Sequence, residues 1–269
     1  MAKVSIITAT RNRPDLLRRC IRAIQHQDWD DYEHIIVGDH CPYAERVWED
    51  FKDDKHLIYT TTPSPHVENH GATGKNKGIE IATGKYIAYC DDDNILLPNH
   101  SRLVWETLEE GYDLVFSKFY SLDIEEGNNR TKTILNYDLK KLLTDVDYVY
   151  AYSKENRYEE DSKKLFDIDM LVCGHRTDLY PNKLKWPTVE QVGPNEDGSL
   201  MWYLDHRLKQ GVFPPFGGES LGLDPDYKHK TKYIDTPTAI YSSGGGHHDN
   251  DEEYNKKRNN LGKELYVYE

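Results

Sequence analysis

Three adjacent carboxylates, Asp91, Asp92 and Asp93, close the stretch Lys85-Tyr-Ile-Ala-Tyr-Cys-Asp-Asp-Asp-Asn94. Side by side they repel one another. Either water or a divalent cation relieves that repulsion, and hard cations such as Mg²⁺ and Mn²⁺ take oxygen ligands. The run before the acids is rich in β-formers and follows the turn signal Thr83-Gly84, so it reads as a buried strand delivering carboxylates at its C-terminal end. In an extended chain alternate side chains share a face, which would point Asp91 and Asp93 one way and Asp92 the other, offering an Asp-x-Asp pair. The competing reading is an acidic surface turn that caps a helix beginning near Pro98, because acid runs are commonly just solvated. Position separates the two: in open α/β sheets ligands bind beyond the carboxyl ends of the strands. The acids are therefore read as a metal site.

The elements that must position this site alternate. Val4-Ser-Ile-Ile-Thr-Ala-Thr10 is a β-branched run, followed by Arg11-Asn-Arg-Pro14 and a helical face of Leu16, Leu17, Cys20, Ile21 and Ile24 with Pro14 in its first turn. Glu33 to Asp39 is a second strand ending in an acid, with Tyr43, Val47 and Phe51 on the inner face of the next helix, and Leu57 to Thr61 is a third strand. Gly71 to Gly78 leads into the fourth, but lacks both the Gly-x-Gly-x-x-Gly and the Walker spacing. A helix with Leu103, Val104 and Leu108 inward ends at Gly111, and Asp113 to Ser117 is another strand. The alternation predicts a mostly parallel sheet covered on both faces.

From 119 to 165 the chain becomes rich in Tyr, Lys and Asp with weak periodicity, and reads as an insertion or lid without its own core. Phe166 to Cys173 restores strand character. A helix opened by Pro194-Asn-Glu-Asp-Gly has Leu200, Leu204 and Leu208 on its inner face. The predicted division is 1–118, insertion 119–165, second half 166–242 and flexible tail 243–269.

Composition limits the function classes. With 269 residues and a net charge of -13, the chain lacks the clustered Lys and Arg that a nucleic-acid surface needs. Cys20, Cys41, Cys90 and Cys173 are widely spaced, which suggests reduced thiols rather than a zinc ribbon or a disulfide framework. No window approaches the roughly 18 apolar residues of a spanning helix, so no transmembrane segment and a cytoplasmic location are expected. The sequons at Asn99 and Asn129 are read as chance matches.

With these residues placed, the chain resembles a family 2 glycosyltransferase of the GT-A fold, strongly over 3–118 and moderately over 166–211. Val-Ser-Ile-Ile-Thr-Ala-Thr-Arg-Asn-Arg-Pro is similar to the family's first strand and helix. Ile36-Val-Gly-Asp39 stands where the family has Val-Asp-Asp, and Gly84-Lys-Tyr-Ile-Ala-Tyr-Cys-Asp-Asp-Asp resembles its metal motif. The resemblance implies a GT-A (Rossmann-like) α/β fold with an acceptor-side insertion. It also implies that Thr10 and Asp39 line the nucleotide base pocket, with Arg11 and Asp92 also among the donor-binding residues. Asp91 would contact ribose or metal-bound water, and Asp93 would hold Mn²⁺ or Mg²⁺ against the diphosphate. The family's Ala-Arg-Asn segment is altered here to Gly74-Lys75-Asn76, so Lys75 either replaces the arginine on the diphosphate or is a solvated lysine at a helix start.

Asn195-Glu196-Asp197 resembles the family's Glu-Asp motif, which makes Asp197 the expected base for an acceptor hydroxyl; its other reading is a helix-capping acid. His247 and His248 follow a Ser- and Gly-rich run, and one of them is read as completing the metal shell, against two histidines on a polar tail. Trp186, Trp202 and the tyrosines can stack on acceptor sugars, or are core. The implied activity is metal-dependent, inverting transfer from a nucleotide diphosphate sugar, a UDP-sugar, to a hydroxyl of a glycan or glycoconjugate. A retaining GT-A transferase and a non-catalytic carbohydrate-binding module of the same fold are the alternatives. A sugar-nucleotide-synthesising enzyme would carry a glycine-rich loop after the first strand, where this chain has Arg11-Asn-Arg13.

Overall fold

In this computed structural model the described residues are 2–63, 71–122, 134–156, 170–179, 184–187, 200 and 229–242. The first half alternates strictly: β1 (Val4–Thr10), α1 (Pro14–Ile24), β2 (Tyr32–Gly38), α2 (Pro42–Glu49), β3 (Leu57–Thr61), α3 (Ala72–Ile81) and β4 (Tyr86–Tyr89). β5 (Ile95–Leu96), α4 (His100–Glu109) and β6 (Leu114–Leu122) follow. Beyond them come α5 (Leu139–Thr144), α6 (Val146–Tyr152), β7 (Ser153–Asn156), β8 (Cys173–Arg176) and β9 (Thr231–Ser242).

The strands form one nine-stranded sheet in the order β3-β2-β1-β4-β8-β6-β9-β5, with β7 beside β6. β3, β2, β1 and β4 run parallel, and β8 is antiparallel to both β4 and β6. Every residue of β1 and β2 is buried, as expected of parallel strands covered on both faces. The polar members of β1 are each matched. Ser5 donates to Glu33 at 2.6 Å, Thr8 Oγ1 lies 2.9 Å from His34 Nε2, and Thr10 donates to Asp92 at 2.6 Å.

α3 lies close on β1 because it presents glycines there. A Cβ at Gly74 would come within 2.9 Å of Ala9 Cβ, and one at Gly78 within 2.5 Å of Ile7 Cγ2. Gly71 caps the helix with φ 86°, a left-handed conformation that glycine adopts without steric cost.

Several elements differ from the sequence expectation. The helix expected near Pro98 begins at His100, because Ile95–Leu96 first pairs with β9. Of the strand expected over 166–173 the described residues begin at Met170: Met170–Val172 is a 3-10 turn and Cys173–Arg176 is a strand. In the segment read as an insertion or lid without its own core, the described residues, 119–122 and 134–156, join the main sheet and its core. Phe119 to Leu122 extend β6, β7 pairs with them, and Leu142, Leu143 and Val149 pack with Ala23, Ile95, Tyr120, Leu122 and Ile240. Leu142, Leu143 and Val149 lie on short helices and turn toward one cluster, while Leu135, Val146 and Tyr150 stay exposed, so low average hydrophobicity concealed a small packed face. All four cysteines are free and buried, and no helix among the described residues is long and apolar enough to cross a membrane.

Candidate active site

Parallel pairing brings the strand ends to one rim. Thr10 is level with Gly38, and Gly38 with Thr61, so Asp39 and Thr62 follow side by side. The sheet extends from β1 in both directions, to β2 and to β4, which makes the β1/β4 boundary the point where chain order reverses and where α/β sheets hold ligands. The acids after β4 lie at that boundary.

The triplet is a turn rather than the end of a strand: Asn94 N–H donates to the Asp91 carbonyl at 3.0 Å. Strand alternation therefore does not apply, and the expected pairing of Asp91 with Asp93 on one face is replaced by another. Asp92 and Asp93 share Arg13, whose Nη2 is 2.6 Å from Asp92 Oδ1 and whose Nη1 is 3.0 Å from Asp93 Oδ2. Asp91 pairs instead with Lys75 Nζ at 3.2 Å. β9 fixes the turn from behind, through Ser242 N–H to Asn94 Oδ1 at 2.9 Å and Ser242 Oγ to the Asp93 carbonyl at 2.7 Å.

Burial pushes the Asp92 carboxyl up to about 6; Arg13 and the Thr10 hydroxyl pull it down, while Asp93 and Asp91 add to the rise. Burial lowers the Arg13 guanidinium, but the three carboxylates outweigh it and hold Arg13 above its ordinary value. The Asp91 side chain is 37% exposed and faces the solvent side of the turn, whereas Asp93 is 6% exposed.

At the neighbouring strand end Asp39 N–H donates to the Thr10 carbonyl at 2.9 Å, and Thr62 Oγ1 donates to Asp39 Oδ1 at 2.8 Å. Arg11 Nη1 is 3.8 Å from Asp39 Oδ2, and although buried it has no hydrogen-bond partner. Thr10 thus touches this pocket through its backbone, while its hydroxyl serves Asp92.

Lys75 is 4% exposed, with its Nζ 3.9 Å from the centre of the Trp186 ring. It is therefore not a solvated lysine at the helix start. Trp186 is itself buried, held by reciprocal bonds between its backbone and the Asn76 amide at 2.7 and 3.0 Å. Of the two readings of Trp186, a sugar-stacking surface or core, the structure bears out core, with Lys75 seated on its ring. Asp197, Trp202, His247 and His248 lie outside the described residues.

Sequence reasoning missed Arg13. It stands in the same Arg11-Asn-Arg-Pro stretch as Arg11, but nothing local shows that it spans the gap to the β4 turn. Asn12, at φ 54°, turns the chain there, and its N–H donates to Cys41 Sγ at 3.1 Å.

Asp91 and Asp93 each offer carboxylate oxygens at this turn, the right donor chemistry for Mg²⁺ or Mn²⁺, although each is paired with a different cation of the chain. Among the described residues no group of three or more acids, histidines or cysteines converges to hold an ion. The donor set fits a site of the kind in which one or two carboxylates share a cation with substrate phosphates and water.

The sequence profile described as glycosyl transferase family 2 matches residues 5–177. The chain is 32% identical over 143 residues to the Campylobacter jejuni GalNAc(5)-diNAcBac-PP-undecaprenol beta-1,3-glucosyltransferase, covering 52% of this chain and 45% of that one. It is 31% identical over 234 residues to an uncharacterized glycosyltransferase of Methanocaldococcus jannaschii, covering 78% and 76%. It thus spans less than half of the first relative and three quarters of the second. In three dimensions it is similar to S. aureus TarS 1-349 in complex with UDP-GlcNAc, with a TM-score of 0.58, 13% identity, and coverage of 91% of this chain and 60% of that one. The sequence match over most of β1 to β8, on a sheet of the GT-A kind, places the chain in glycosyl transferase family 2.

Proposed function

We propose that this protein transfers a sugar from a nucleotide diphosphate sugar, a UDP-sugar, to a hydroxyl of a glycan or glycoconjugate, with metal assistance and inversion at the anomeric carbon. The observation that carries the reading is the rim itself. Asp39 with Thr62, the Asp91–Asp93 turn and Lys75 come from separate elements and stand along one rim of the sheet, on either side of the β1 end. The buried Nη1 of Arg11, ion-paired with Asp39 but without a hydrogen-bond partner, is a donor suited to a carbonyl of a nucleotide base. The TarS complex with UDP-GlcNAc supports the donor class, and the name of the Campylobacter relative supports an oligosaccharide-linked acceptor.

In this reading Asp39 accepts from the base and Lys75 is the cation nearest the diphosphate. Asp93 and Asp91 would hold Mn²⁺ or Mg²⁺, which would supply charge neutralisation to the diphosphate leaving group. Asp197, on the strength of its motif, takes the proton from the acceptor hydroxyl. The buried Asp92, clamped by Arg13 and Thr10, fixes the turn and is not a ligand-contacting acid, which changes the role the resemblance implied for it.

The test is a thermal-stability screen of UDP-, GDP- and dTDP-sugars with Mn²⁺, followed by NMR of the product. A bound donor raises apparent stability by mass action, so a UDP-sugar should raise the melting temperature and the product should have the opposite anomeric configuration. A folded protein stabilised by none of them in the presence of Mn²⁺ overturns the donor reading, and retention of configuration overturns the inverting one.

A further inference from the structure

We propose that Arg13 is a resident cation that holds the acid turn closed to divalent metal until a nucleotide diphosphate arrives. This rests on the metal-assisted reading above and gives Arg13 a positioning role within it. The geometry is that of a clamp. One guanidinium reaches Asp92 at 2.6 Å and Asp93 at 3.0 Å, and Asp93 is the acid on which the metal reading depends. The clamp is carried on constrained backbone: Asn12 before it is in the left-handed region, and Pro14 after it opens α1.

Among the described residues, the charges facing the rim are Asp39 from the β2 end, Asp91, Asp92 and Asp93 from the turn, Arg11 and Arg13 from the β1 end, and Lys75 from α3. These four carboxylates are nearly balanced by these three cations. A divalent ion arriving alone would meet an Asp93 already paired, with a guanidinium at contact distance. Like charges a few ångströms apart in a partly buried site repel strongly. A diphosphate brings the negative charge that reverses this balance, so metal uptake should depend on donor. Lysine at position 13 would keep the charge but could not fork to both acids, and glutamine would remove the charge.

The experiment is an electron-paramagnetic-resonance titration of Mn²⁺ against the full chain, with and without UDP, for wild type, Arg13→Gln and Arg13→Lys. Wild type is expected to bind Mn²⁺ at least about tenfold more tightly with UDP. Arg13→Gln should raise the UDP-free affinity at least about tenfold, while Arg13→Lys should stay within about threefold of wild type. A merely structural arginine would give no such gain. Arg13→Gln/Asp92→Asn removes the buried acid along with its partner and should show the same gain, so the test survives if the single variant fails to fold. If wild type takes up Mn²⁺ with UDP but neither charge-removing variant gains UDP-free affinity, the clamp is refuted and the metal reading stands. If no protein takes up Mn²⁺ even with UDP, the metal reading falls and the clamp with it.

Discussion

Replacing Trp186 by leucine should weaken donor binding without touching the donor. Lys75 Nζ lies 3.9 Å from the Trp186 ring centre and is almost fully buried, the setting in which a cation–π contact is worth about 2 kcal/mol. Losing that seat releases Lys75 from its place beside Asp91, and if the whole contact energy passes into donor affinity the loss is roughly tenfold to thirtyfold. The fold loses more. A fully buried tryptophan shortened to leucine, with its edge-on contact to Tyr89 at 5.1 Å, costs about 3 kcal/mol. The reciprocal Asn76 bonds run through the Trp186 backbone, so they survive the change. Isothermal titration of UDP into wild type, Trp186→Leu, Lys75→Met and the double variant separates the two effects. If tryptophan acts through lysine, Trp186→Leu lowers affinity about tenfold alone but less than about twofold in the Lys75→Met background. Two losses that simply multiply would refute the reasoning, because Trp186 would then affect the donor by a route that bypasses Lys75.

Other perturbations test other parts of the molecule. Gly78→Ala places a methyl 2.5 Å from Ile7 Cγ2, so the Ile7 side chain or α3 must shift; urea unfolding should show a loss of about 1–3 kcal/mol, and an unchanged midpoint would contradict the close approach. Burial holds His34 down at about 3, and His100 and His175 at about 4, so the native state keeps all three neutral while the unfolded chain protonates them below about 6.5. Stability is therefore complete above that pH and is lost as pH falls, by about 2 kcal/mol per ring at pH 5, roughly 6 kcal/mol together. Equal urea midpoints at pH 7 and pH 5 would show that the rings are not held neutral. Asp197→Asn should leave UDP affinity unchanged while turnover falls at least about a hundredfold, and unimpaired turnover would remove Asp197 as the base.

Period and punctuation made the first half of the chain legible. β3 falls on the residues whose β-branched and aromatic run marked it, and α1 starts at the proline that marked its first turn, because both depend on neighbours in sequence. The second half gave weaker signals for a physical reason. β8 is four residues long, Cys173–Arg176, and includes glycine, histidine and arginine; it is a strand because β4 and β6 flank it, not because its residues favour one. Gly174 is needed there, since a Cβ would meet Val104 Cγ1 at 2.5 Å, a requirement set by α4 some seventy residues earlier.

The site divides the same way. That Asp39 and the acid triplet would share a rim followed from strand direction alone, but which acid faces which cation did not. Alternation assumes an extended backbone, and the Asn94 N–H bond to the Asp91 carbonyl replaces extension with a turn. The turn sends Asp92 inward, where burial would make an unpaired carboxylate costly, and Arg13, some eighty residues away in sequence, meets it there. A buried acid in an acid-rich motif thus implies a cation somewhere in the chain. The sequence contained that implication but not the partner, because Arg11 and Arg13 look alike until the left-handed Asn12 between them sends one toward Asp39 and the other toward Asp92. The metal-binding chemistry that the triplet suggests to a reader is therefore, in the folded chain, already half satisfied by a side chain, and metal affinity measured without nucleotide should report the strength of that internal pair.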